Sequence, residues 1–242
     1  MTYLNMYKQF FTVFLFFAMA ISAHTQSYWF GAKGGFAMNN QSWGNGFGNV
    51  GANRDAMFSF NGDAFIESYD EEKKGALYAQ LGFHTRGSAL RFFSFNNSFN
   101  ALSKYKFHNI VLELGAKKPF FSSDEYAPYL ILGIRGEYTV GNNLGSVSQF
   151  AEIVNADYVR KFNYGVTFGG GFEMEMSELS NVFVEATIQP DYSFQYEHFG
   201  IDNIRNPWAP NERIDLPATQ VRNLSIELKV GVKFLRKIEY ID

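Results

Sequence analysis

Residues 224–235 read LSIELKVGVKFL, with Leu224, Ile226, Leu228, Val230, Val232 and Phe234 on one parity and Ser225, Glu227, Lys229, Gly231 and Lys233 on the other. Alternation this strict predicts an extended strand with one apolar and one polar face, because successive side chains of a strand point to opposite sides. In a water-soluble barrel or sandwich the apolar face turns inward. In a membrane barrel it turns outward to lipid and the interior is polar. One strand is compatible with both, so the choice rests on the rest of the chain.

Seven earlier segments repeat the pattern. They are SYWFGAKGGFAM (27–38), MFSFNGDAFIES (57–68), ALYAQLGFHTR (76–86), HNIVLELGA (108–116), YLILGIRGEYTV (129–140), NYGVTFGGGFEME (163–175) and NVFVEATIQ (181–189), the last being the least regular. Each keeps its charges off one face. The polar parity carries Lys33, Asp63, Glu67, Arg86, Glu113, Arg135, Glu137, Glu173, Glu185, Glu227, Lys229 and Lys233. The connections separate the two readings. Those after the first, third, fifth and seventh segments (39–56, 87–104, 141–161 and 190–218) are long, whereas YDEEKK, KKPFFSSDEYA and SELS are short. Long loops at one end, short turns at the other and an even strand count are the arrangement of an outer-membrane barrel. On the apolar parity, Phe58, Tyr138 and Tyr164 fall toward the long-loop rim and Phe30, Phe172 and Phe234 toward the short-turn rim, as interfacial aromatic girdles would. The expectation is an all-β fold, an eight-stranded antiparallel up-and-down transmembrane β-barrel.

Composition agrees. Aromatic residues make up 18% of the 242, and charged residues only 19%, below the usual quarter. The amino terminus has a different character: MTYLNMYKQ with Lys8, then the apolar run FFTVFLFFAMAI, then SAHTQ, the layout of a secretory signal peptide. That run is shorter than the ~20 residues of a membrane-spanning helix. Residues 1–23 are therefore expected to be removed, leaving 24–242 as one barrel domain in the outer membrane of a Gram-negative bacterium. The chain has no Cys, which excludes a disulfide framework and a lipid-modified amino terminus. With 24 acidic residues against 21 basic and no basic run, nucleic acid is not an expected partner.

Candidate chemistry is sparse. Glu173 and Glu175 are two apart on one strand, which predicts both in the interior as partners in a charge network rather than an acid–base pair. His84, His108 and His198 lie in separate elements without paired-ligand spacing, so neither a metal nor a cofactor is expected. The glycines at 169–171 and within 44–49 open no helix and precede no Lys-Ser or Lys-Thr, unlike a phosphate loop. Ser94, Ser98 and His108 would be the candidates for lipid-modifying chemistry at the membrane edge, but no nucleophile motif surrounds them. In the last long connection Tyr192, Phe194, Tyr196, Phe199 and Trp208 offer aromatic surface that could contact a partner or fold over the barrel mouth.

The segments WFGAKGGFAM, APYLILGIRGEYTV, NYGVTFGGGFEME and LSIELKVGVKF, in this order and spacing, resemble the PorT-like outer-membrane β-barrel family of Bacteroidetes across nearly all of the exported chain. The resemblance implies an eight-stranded barrel and a link to the type IX secretion system. This chain departs from many outer-membrane barrels in running on past its last strand as LRKIEYID instead of ending on an aromatic residue.

The functional expectation is a non-enzymatic structural or accessory component, such as one of a secretion or membrane-assembly machine, in contact with outer-membrane lipid and with other outer-membrane or periplasmic proteins. Two other classes stand beside it. A soluble lipocalin-like binder would line its cavity with the apolar parity, and a small lipid-modifying enzyme would bring Ser and His together at a membrane-facing edge.

Overall fold

The computed structural model describes residues 27–44, 53–69, 75–93, 100–120, 126–144, 156–206, 209–216 and 218–237. The expected signal peptide and its cleavage position lie outside these residues. In chain order the strands are β1 (Ser27–Gly44), β2 (Asn53–Asp55), β3 (Met57–Ser68), β4 (Ala76–Phe93), β5 (Asn100–Pro119), β6 (Tyr126–Asn142), β7 (Phe162–Ser177), β8 (Ser180–Pro190), β9 (Tyr196–His198), β10 (Ile201–Asn206), β11 (Ala209–Leu216) and β12 (Thr219–Lys237), with a 3-10 turn at Ala156–Tyr158. Eight of them, β1, β3, β4, β5, β6, β7, β8 and β12, pair in sequence order, and β12 closes the ring on β1. Every pairing in the ring is antiparallel. This is the eight-stranded up-and-down barrel that the alternation predicts. Closure leaves the ring no open edge.

The facing is the reverse of a water-soluble core. Phe36, Phe58, Phe60, Ile134, Phe172 and Val230 stand outward and are 60–71% exposed. All twelve charged residues assigned to the polar parity turn inward. The soluble-binder reading needs an apolar interior and is overturned by this arrangement. Among the described residues no helix is long and apolar enough to cross a membrane. The strands satisfy their backbone groups within the closed ring, as a membrane-crossing sheet must.

Four strands run well past the segments that the alternation marks. β1, β4, β5 and β12 have 18, 18, 20 and 19 residues, whereas ~10 residues cross a membrane. Much of the connection expected at 87–104 is strand, with Gly87–Phe93 paired to Asn100–Lys106. Beyond the membrane both faces of a strand are wetted, so pairing continues while the apolar alternation that betrays it fades. Of the last long connection, β9 pairs with β12, and β10 and β11 form a separate two-stranded hairpin.

Small residues make room inside the ring. Phe65 and Phe183 meet edge-on in the lumen with ring centroids 5.5 Å apart. A Cβ on Gly231 would lie 2.3 Å from the Phe183 ring, and one on Gly31 would lie 2.9 Å from that of Phe65. The irregularity of the seventh segment is therefore an aromatic residue on the polar parity, seated against glycine.

Candidate functional site

Six cations (Lys33, Arg86, Lys117, Arg135, Lys229 and Lys233) and eight carboxylates (Asp63, Glu67, Glu113, Glu137, Glu173, Glu185, Asp191 and Glu227) occupy the lumen. An eight-stranded barrel is just wide enough for side chains to fill, and buried ions must be paired or hydrogen-bonded to persist. They are arranged in levels along the barrel axis.

Nearest the short turns is a closed ring of four. Lys233 reaches Glu67 at 2.9 Å and Glu173 at 2.7 Å, and Lys117 pairs with Glu67 at 3.3 Å and also with Glu173. The two ammonium groups lie over aromatic faces, Lys117 at 4.1 Å from the Tyr129 centroid and Lys233 at 4.4 Å from that of Trp29, which adds cation–π attraction in a desolvated place. Glu175, expected beside Glu173 in the interior, is instead exposed. A register irregularity between Glu175 and Ser177 interrupts the regular pairing where β7 approaches its turn.

At the next level Lys33 and Glu185 pair at 2.5 Å. Glu113 accepts hydrogen bonds from the hydroxyls of Tyr78 and Thr167, both at 2.6 Å. Between these levels lies a cavity of about 20 Å³ bordered by Lys33, Phe65, Tyr78, Lys117, Tyr129 and Glu185, room for about one water.

The middle of the lumen holds one alternating chain of charges: Asp63, Lys229, Glu227, Arg86, Glu137, Arg135 and Asp191. The successive contacts are 2.6, 2.6, 3.0, 2.8 and 2.6 Å, followed by the Arg135–Asp191 pair. The His84 ring fits between Asp63, at 2.7 Å from Nε2, and Glu227, at 3.3 Å from Nδ1. Asn61 and Gln189 donate to Glu227 at 2.7 and 2.9 Å, and Asn109 donates to Glu137 at 2.5 Å. Gly82 lets Asp63 lie flat against β4, since a Cβ there would come within 2.0 Å of the Asp63 carboxylate.

Toward the long-loop end the charges give way to amides and then to an apolar cap. Asn223 donates to Asp191 at 2.8 Å and to Gln195 at 3.0 Å, and Gln41 donates to Asn223 at 2.8 Å. Above them Tyr105, Phe107, Leu144, Tyr196 and Val221 form a buried cluster, with Tyr158 and Val159 packed against it. The last connection is drawn into the mouth by backbone pairing. Gln195 N–H donates to the Val221 carbonyl at 2.8 Å, and Arg160 N–H donates to the Gln195 carbonyl at 3.0 Å.

Of the loop aromatics expected to contact a partner or fold over the mouth, Tyr196 takes the second role: it is 1% exposed and belongs to the cap. Phe194 is half-buried beneath the Arg222 guanidinium, 4.4 Å from its ring centroid. Tyr192 and Phe199 remain open at 59% and 83% exposure, and Trp208 lies outside the described residues. The lipid-modifying candidates are not assembled within the described region. His108 faces outward, stacked on Phe83 at 5.9 Å with its Nδ1 3.1 Å from the Thr85 hydroxyl, while Ser94 and Ser98 lie outside the described residues. His198 packs against Tyr158 and Tyr196 at the mouth.

Three lumen residues lie outside the expected set of charges although all follow the polar parity. Lys117 continues the parity of Glu113 and Asp191 that of Glu185, each beyond the end of its alternating segment, and His84, which has no metal-ligand spacing, is a wedge between carboxylates.

Comparison with known proteins agrees with this architecture. OprG from Pseudomonas aeruginosa is 12% identical, with a TM-score of 0.51 over 87% of this chain and 97% of that one. The amino-terminal β-barrel domain of OprF from Pseudomonas aeruginosa is also 12% identical, with a TM-score of 0.42 over 88% of this chain and 98% of that one. Neisserial surface protein A shares the same identity, with a TM-score of 0.42 over 86% and 96%. The likeness to OprG shows a shared fold, and no curated protein matches the chain. Residues 17–190, well over half of the sequence, match the family model described as outer membrane protein beta-barrel domain, and the protein belongs to that family of outer-membrane β-barrels.

Proposed function

We propose that the protein is a non-enzymatic structural or accessory component of the outer membrane, of the PorT-like kind, serving a secretion or membrane-assembly machine related to type IX secretion. The observation that carries this reading is the lumen, packed with ion pairs along its length and closed at one mouth by the Tyr196 cap. Among the described residues a lumen filled in this way offers no path for a solute, which leaves the outer wall and the ends as the surfaces that meet a partner. In outer-membrane barrels the short turns are periplasmic and the long loops external, which puts the exposed Tyr192 and Phe199 on the outside.

The functional test is purification from native membranes in mild detergent, followed by identification of co-purifying proteins for the wild type and for Tyr192→Ser/Phe199→Ser. Loss of a specific partner in the variant is expected, and an unchanged partner set would count against docking through this loop. For the lumen, pure protein in planar bilayers is expected to show no steady single-channel conductance. A reproducible ion current would overturn the closed barrel and the accessory role built on it.

A further inference from the structure

On the outward face of β5, Ile110 is followed toward the long-loop end by His108, Lys106 and Lys104 on the same parity. Ile110 is in register with Tyr138 of the aromatic rim, so the two lysines stand just past that rim. Lys161, exposed just before β7, has its carbonyl accepting from Thr139 N–H at 2.7 Å. The lumen cations are all tied to carboxylates. By contrast, among the described residues Lys104, Lys106 and Lys161 have no ion-pair partner. The adjacent Arg160 is held by Glu197.

The backbone beneath the lysines is fixed. The Asn143 side chain donates to the Lys104 carbonyl at 2.8 Å and accepts from Lys106 N–H at 2.7 Å, and Asn143 N–H donates to the Lys106 carbonyl at 3.2 Å. Same-face neighbours on a strand are ~7 Å apart, close enough for both flexible ammonium groups to meet one phosphate. Directly below, Ile110, Phe83, Tyr138 and Val140 are outward and 44–50% exposed. A cationic ledge over an apolar wall has the chemistry of an amphiphile with an anionic head, whereas a soluble acidic peptide would leave the wall unused. We propose that Lys104 and Lys106 hold the phosphate of a membrane lipid whose acyl chains lie along this wall.

The test uses full-length protein purified in mild detergent, with phosphatidic acid, phosphatidylcholine of the same chains and inorganic phosphate as probes. Wild type is expected to retain phosphatidic acid in preference to phosphatidylcholine. Lys104→Gln/Lys106→Gln should lower that preference roughly tenfold or more, since a lysine near an anionic surface contributes about fivefold. Lys118→Gln, exposed on the same strand at the short-turn end, should leave it unchanged. Equal binding of the two lipids, an unaffected double variant, an equal loss in Lys118→Gln, or displacement of the lipid by equimolar inorganic phosphate would each overturn the assignment. If the double variant does not fold, the single variants Lys104→Gln and Lys106→Gln and the wild-type lipid preference decide the matter by the same criteria.

Discussion

Replacing Arg86 with Met is expected to destabilise the folded barrel by about 3–5 kcal/mol, the range for removing one partner from a buried ion cluster. Arg86 is 1% exposed, and its guanidinium serves Glu137 at 2.8 Å, Glu227 at 3.0 Å and Gln189 at 2.7 Å, bridging β4 to β6, β8 and β12. Met fills similar volume without the charge, so the loss reports the excess negative charge left in the chain, where Glu137 keeps only Arg135 and Glu227 only Lys229 and His84, rather than a cavity. Adding Glu137→Gln to the Arg86→Met background should recover part of the loss, because that excess is then smaller by one charge. Contacting residues of this kind couple by about 0.5–3 kcal/mol. Urea unfolding in lipid vesicles, followed by heat-modifiable gel mobility, measures both variants. A loss below 1 kcal/mol for Arg86→Met would mean that water, and not ion pairing, holds the lumen charges.

Leu228→Arg tests the opposite face. Leu228 is outward and 56% exposed near the middle of β12, beside Phe36 of β1 and Ala186 of β8. Arg on the lipid face of a barrel costs about 2–4 kcal/mol at the midplane and close to nothing at the interface. The variant should therefore accumulate less in membranes and lose its heat-modifiable band, while Gln220→Arg, exposed on the same strand near the mouth, should behave like wild type. Normal insertion of Leu228→Arg would place that face away from lipid and contradict the facing of the whole ring, because all eight strands share one alternation.

The barrel was legible in the sequence because lipid outside and polar groups inside impose a period of two on every membrane-crossing strand, and a slip of one residue would turn every charge toward lipid. The same logic made the lumen charges readable, from Lys33 on the first strand to Lys233 on the last. Where the strands leave the membrane the period fades, and this is how Lys117 and Asp191 fell outside the marked segments. Local reading leaves open whether the aromatic residues of the last connection contact a partner or fold over the mouth, and the burial of Tyr196 follows from pairing with Val221 of β12.

Parity along the chain thus determined the number of strands in the ring and, within the membrane-crossing segments, which side chains face the lumen. Which charges meet was decided by ring closure and register, since the partners lie far apart in sequence: Lys33 and Glu185 are separated by 152 positions, Arg86 and Glu227 by 141, and Lys229 and Asp63 by 166. A strand's own residues specify a face but not the height at which its neighbour's carboxylate will stand. That height is set by the stagger between tilted strands when the sheet closes, and only at closure does a row of separate lysines, arginines and carboxylates become one paired network filling the barrel.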